Sequence, residues 1–147
     1  MKEQNMNKNE RDIKESLTPV PYLLSRISAG FPSPADDYIE NNLSLSELLI
    51  RNHLSTFLMK TSGDSMMDVG INDGDILVVD RSIEPKNRDI VIAILEGNLT
   101  VKRLLFKTNG SVVLKSENSV YKDIKIPESA DLEIWGVVTS VIHQFIK

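Results

Sequence analysis

A serine and a lysine pose the chemical question. The stretch KTSGDSMMDVGINDGD, residues 60–75, sets Ser65 between an aspartate and two methionines, among three glycines, with β-rich sequence on both sides. A serine hydroxyl attacks a carbonyl only when a base takes its proton. Beside a serine that opens a helical turn, backbone N–H groups point outward, and such donors can hold a developing oxyanion. The same residues also have a purely structural reading. Ser65-x-x-Asp68 is an N-cap spacing, and the glycines suit turns.

The sequence restricts which base is available. There is no cysteine, so a disulfide framework, a thiolate zinc site and a cysteine nucleophile are all excluded. His53 and His143 are the only histidines and lie far apart, so no histidine metal site is expected; each reads as an ordinary surface or half-buried side chain. Lys102, in NLTVKRLLF, is the other candidate. In a strand, Thr100 and Lys102 share one face while Val101 and Arg103 share the other, so each face carries one long cation. A lysine on a solvent face is merely charged. A buried one loses proton affinity, and lowering its pKa from about 10.4 toward 7 needs roughly 4–5 kcal/mol of destabilised charge. Such an amine is neutral and serves as a general base, the partner in a Ser–Lys dyad.

The elements that must position these groups are mostly β. After an arm with four basic and four acidic residues in its first twenty, the chain passes through PYLLSRISAGFPSPADDY. Its prolines disfavour a long helix and predict extended chain able to lie in a groove. Ser44-x-x-Glu47 before Leu48, Leu49 and Ile50 predicts a short capped helix. From there STFLMKT, DILVVD, RDIVIAIL, LTVKRLLF, SVVLKS and EIWGVVTSVIHQFI read as strands, and Glu96-Gly97-Asn98 as a tight hairpin loop. The expected organisation is a flexible arm over 1–29, a linker and short helix over 30–52, and a compact, mostly antiparallel β domain over 53–147. The net charge of −4 argues against a protein that coats nucleic acid. With no signal-peptide pattern and no span of about 20 apolar residues, the expected location is cytoplasmic.

Four segments taken together resemble the UmuD-like members of the LexA-like (S24) family of self-cleaving serine peptidases. They are GFPSPADDYIE, SGDSMMDVGINDGDILVVD, DIVIAILEGNLTVKRL and IWGVVTSVIH, in order from about residue 22 to the end. The resemblance implies a LexA/UmuD-like β fold with Ser65 as nucleophile and Lys102 as general base. It implies cleavage between Ala29 and Gly30, where a small residue precedes glycine; alanine here is the LexA-like choice and cysteine the more usual UmuD-like one. It also implies no cofactor or metal, a homodimer, a RecA filament on single-stranded DNA as coprotease, and a Y-family (UmuC-like) polymerase catalytic subunit as the partner of the trimmed form. The function so implied is an SOS-response self-protease that becomes an accessory subunit of error-prone translesion synthesis.

Other readings fit less of the sequence. GDS also occurs in GDSL esterases, but their C-terminal Asp-x-x-His is here Ser140-Val141-Ile142-His143. A self-cleaving repressor needs a helix-turn-helix reader, for which the 29 residues before Gly30, largely polar and proline-ended, are too few. A signal peptidase shares the dyad but needs a membrane anchor. A regulatory subunit without cleavage remains as the alternative in which Ser65 and Lys102 are present but idle.

Overall fold

The computed structural model describes residues 20–23, 26–32 and 40–146. Most of the arm, residues 1–19, lies outside them. The chain divides into two units, residues 1–50 and 51–147.

In the first unit, β1 (Val20–Leu23) pairs antiparallel with β2 (Glu40–Leu43), Val20 opposite Leu43 and Leu23 opposite Glu40. The sequence predicted extended chain over residues 21–38, which covers most of β1 but not β2, and it predicted no pairing, because neither segment has the alternation of a half-buried strand. The short helix α1 (Leu45–Leu49) forms as the capping pattern requires, with the Ser44 Oγ accepting from the Ser46 N–H at 3.2 Å.

The second unit is one seven-stranded sheet, all of its pairs antiparallel. Its strands are β3 (Thr56–Lys60), β4 (Ile76–Asp80), β5 (Ile90–Leu95), β6 (Asn98–Phe106), β7 (Val112–Lys115), β8 (Ile124–Ile126) and β9 (Leu132–Ile142). Their spatial order is β3-β4-β9-β5-β6-β7-β8. The last strand in sequence thus enters the middle of the sheet. The first half of β9 pairs with β5 and its second half with β4, and the register shifts once on each side. Such bulges bend a strand and strengthen its twist.

The bend gives β5 apolar neighbours on both faces. Ile92, with Met66, Ile71, Leu77 and Val79, forms one core cluster. Val91 and Ala93, with Leu104, Leu114 and Val137, form the other. A strand buried on both faces reads as a continuous apolar run rather than an alternating one, which is why Ile90–Leu95 carries no polar residue. The hairpin between β5 and β6 is tighter than the sequence suggested. Leu95 pairs with Asn98, so only Glu96 and Gly97 form the turn, and both have positive φ, 48° and 79°. This two-residue geometry matches the right-handed twist of the strands.

Gly136, at the centre of β9, marks the tightest point of this packing. A Cβ placed there would lie 2.6 Å from the Cγ1 of Val79, a side chain with no exposed surface. Gly136→Ala therefore should destabilise the domain by about 1–3 kcal/mol through overpacking. Urea unfolding checks this, and an unchanged midpoint would show that β4 and β9 are looser than described.

Candidate active site

Ser65 lies on the connection between β3 and β4, residues 61–75, which has no strand of its own. Three of its glycines adopt left-handed backbone, with φ of 90° at Gly63 and 83° at Gly70 and Gly74, where an L side chain is strained. The base of the loop is closed by backbone bonds, Thr61 N–H to the Asp75 carbonyl and Gly74 N–H to the Thr61 carbonyl, each 2.8 Å. Met66 and Ile71 are 1 % and 2 % exposed and pin the loop into the first core cluster. Ser65 is thus adjacent to a fully buried anchor. A 3₁₀ turn over Met67–Val69 follows, but its N-cap is Met66 and no side chain caps it. Ser65 is not the cap of that turn. No described residue accepts from the N–H groups of Asp64 and Ser65, which remain available as donors.

Lys102 occupies the buried face of β6, opposite Val91 of β5 and two residues from Leu104 of the second core cluster. It is 8 % exposed. Its Nζ donates to the Ser65 Oγ at 2.9 Å and to its neighbour's carbonyl, Val101 O, at 3.1 Å. Among the described residues no carboxylate forms an ion pair with it. Burial without a counter-charge pushes the Lys102 pKa below its ordinary value. The other cation of the strand, Arg103, points to the opposite face and is satisfied by Glu117. The sequence placed one cation on each face, and the structure identifies Lys102 as the buried one.

A groove of about 280 Å³ leads to Ser65. One wall is Met59–Ser62, the end of the edge strand β3, and the other is Leu99–Val101 of β6, with Leu77 and Ile92 at the floor. The strand β7 pairs with β6 only from Arg103 onward, so the first half of β6 has one unpaired edge. The groove therefore offers apolar side chains and free strand edges, the requirements for binding an extended peptide.

The Ala29–Gly30 bond belongs to the other unit. Both residues are exposed in a bend, where the Ser28 hydroxyl donates to the Phe31 carbonyl across them. Ile27 and Phe31, on either side, are 96 % and 93 % exposed.

Two features of the site were not read from the sequence. Asp75, 3 % exposed, accepts from the Asn72 N–H at 2.7 Å and contacts the His143 Nδ1 beyond the end of β9. Its carboxyl is held below the ordinary range, first by the Asn72 N–H and next by His143. This contact ties the loop's base to the last strand, and sequence reading had left His143 without a role. The second feature is the segment Glu117–Tyr121, which contacts the loop from the other side. Groups so distant in sequence have no spacing signal by which to be found. No cluster of metal-ligating side chains occurs among the described residues, and none of their helices is long and apolar enough to cross a membrane.

The chain is similar to known proteins over most of its length. The family model described as Peptidase S24-like matches residues 21–139. Over 124 residues the chain is 43 % identical to Protein ImpA of Salmonella typhimurium, covering 84 % of this chain and 83 % of that one. Over 128 residues it is 42 % identical to Protein MucA of Escherichia coli, covering 87 % and 85 %. It is also 32 % identical over 132 residues to the LexA repressor of Clostridium perfringens, covering 90 % of this chain but 63 % of that one.

The buried amine has a consequence for stability. Because the folded-state pKa of Lys102 lies below its ordinary 10.5, the unfolded chain binds more protons between the two values, and stability rises with pH across that window. Lys102→Met should remove this rise and make the protein more stable than wild type at pH 7. Denaturant midpoints at pH 7 and pH 10 test it; equal pH dependence in both proteins would mean that Lys102 is not desolvated.

Proposed function

The chain belongs to the Peptidase S24-like family, and on that footing we propose that it is a self-cleaving serine endopeptidase that cuts its own Ala29–Gly30 bond with Ser65 and Lys102. The observation that carries this reading is the 2.9 Å contact between the Ser65 hydroxyl and an amine buried without a counter-charge. A structural lysine gains nothing from such a place, whereas a general base needs it.

In the proposed reaction, neutral Lys102 takes the Ser65 proton as Oγ attacks the Ala29 carbonyl carbon. Backbone N–H groups around Ser65, those of Asp64 and Ser65 among them, are the donors for the resulting oxyanion. Lys102 returns its proton to the Gly30 nitrogen as the C–N bond breaks, leaving Ala29 esterified to Ser65. Water then hydrolyses that ester with Lys102 again acting as base. The products are residues 1–29 and 30–147. A small side chain at Ala29 lets the carbonyl approach, and the exposed Ile27 and Phe31 supply apolar groups for the groove beside Ser65.

The wider role we propose is that of the UmuD-like proteins. A RecA filament on single-stranded DNA promotes the cut, and the trimmed form, as a homodimer in the cytoplasm, joins a Y-family polymerase to copy damaged DNA. An accessory role is favoured over a repressor because the identity to ImpA and MucA is 43 % and 42 %, against 32 % to the LexA repressor.

Intact-protein mass spectrometry tests the reading, both with RecA, an ATP analogue and single-stranded DNA and at alkaline pH alone. Wild type should yield the 30–147 species, faster as pH rises until Lys102 is fully deprotonated and then at a constant rate. Ser65→Ala and Lys102→Ala should lose at least about a thousandfold in rate. A Lys102→Ala protein that cuts at the wild-type rate would sink the dyad.

A further inference from the structure

The connection between β7 and β8 reaches both halves of the site from behind. The carbonyl of Glu117 accepts from the Asp68 N–H at 2.8 Å. The Asn118 amide donates to the Asp64 carbonyl at 2.9 Å, while its own Oδ1 accepts from the Val120 N–H at 3.1 Å. The Tyr121 hydroxyl donates to the Asp64 carboxylate. These bonds hold the residue before Ser65 and the residue three after it. The Glu117 carboxylate meanwhile accepts from the Arg103 guanidinium, next to Lys102 in β6, and lies 3.6 Å from the Lys115 amine.

We infer that Glu117–Tyr121 is a positioning bracket that fixes the Ser65 turn against the Lys102 strand, with Asn118 and Tyr121 as its positioning residues. The segment touches neither the Ser65 hydroxyl nor the Lys102 amine; it acts on the backbone that carries them. Asn118 is 8 % exposed, and an asparagine buried there satisfies its amide through the turn it holds. Bonds to Asp64 matter more than bonds elsewhere in the loop, because the Asp64 carbonyl shares its peptide plane with the Ser65 N–H and that plane sets the direction of the next Cα–Cβ bond. A displacement of about 1 Å between nucleophile and base is enough to cost about a hundredfold in rate.

The inference rests on the self-cleavage reading for its consequence, but not for its geometry, so two readouts are needed. In the full-length chain, Tyr121→Phe and Asn118→Ala should lower the plateau rate of alkaline self-cleavage by about tenfold and up to a hundredfold respectively. The pH at which the rate levels off should stay where it is, since neither change alters the burial of Lys102. Hydrogen exchange at the amides of residues 63–68 should accelerate in both variants while exchange in β5 and β9 stays as in wild type. Tyr121→Phe, at a half-exposed site, serves where Asn118→Ala weakens folding. Wild-type plateau rates and wild-type exchange at 63–68 in Tyr121→Phe would overturn the bracket. Faster exchange at 63–68, in a protein whose wild type never cleaves, would instead support the bracket and overturn the self-protease.

Discussion

A lysine amine enclosed by the β-sheet, with a serine hydroxyl as its only side-chain partner among the described residues, is the constraint to which the rest of the structure answers. Each unit by which burial lowers its proton affinity corresponds to about 1.4 kcal/mol. That cost falls on the folded state, whose net stability is typically only 5–15 kcal/mol. A carboxylate beside Lys102 would remove the cost, but it would hold the proton on the amine and leave it unable to accept one. The arrangement avoids this. Val91 and Leu104 surround the lysine with apolar surface, and the nearby acid, Glu117, is engaged by Arg103 on the other face of β6. The strand alternation that separates Lys102 from Arg103 therefore separates a cation meant to lose its charge from one meant to keep it.

The hydroxyl must then be brought to the amine by a loop of irregular backbone. Such a segment would ordinarily be among the first parts of a domain to open. Here it is fastened in three places. Met66 and Ile71 anchor it in the core, Asp75 joins its base to His143 at the end of β9, and Glu117–Tyr121 holds the turn from outside. The two polar fastenings, unlike the apolar one, respond to acid. Asp75 and Glu117 both have carboxyls below their ordinary range, so the stability they contribute is present above about pH 4 and is lost as pH falls through their folded-state values. In the alkaline range, where Lys102 sheds its proton, both carboxylates remain ionised and the loop stays held.

How much of this was legible in the sequence depended on range. Strands read from β-branched runs appear at β3 to β7 and β9 with their ends shifted by a residue or two, except that β9 stops at Ile142, four residues short of the run read from the sequence, because propensity and turn residues are local signals. The three-residue strand β8 and the pair β1–β2 escaped, since Ile124–Ile126 is too short to show a period and β1 and β2 lack alternation. The spacing within β6 limited the buried cation to Lys102 or Arg103. Which one it was depended on Val91 opposite Lys102 and Glu117 facing Arg103, contacts made across the sheet. Ser65 drew attention through its glycines, but the cap reading and the nucleophile reading share one pattern. The fold removes the cap reading by giving the cap position to Met66, and the nucleophile reading stands as a proposal. The partners Asp75–His143 and Asp64–Asn118 lie 68 and 54 residues apart, and no periodicity within the chain links such positions.

With hydroxyl and amine already 2.9 Å apart, the proposed reaction has two places left for control. One is the proton on Lys102, and each pH unit below its pKa reduces the neutral fraction tenfold. The other is entry of the cleavage segment into the groove. Ile27 and Phe31 are almost fully exposed, and burying each in apolar surroundings is worth roughly 1.5–3 kcal/mol. Against that stands the ordering of a chain segment at about 1–2 kcal/mol per residue for its backbone. Gains and losses of this size nearly cancel over the few residues the groove can hold, so the segment's occupancy is poised rather than fixed. A partner that favoured the docked form by about 2.8 kcal/mol would raise its population about a hundredfold while it remained the minor state, without changing any group at the site. Control by docking thus needs no change in the chemistry, since the base already lies beside the hydroxyl.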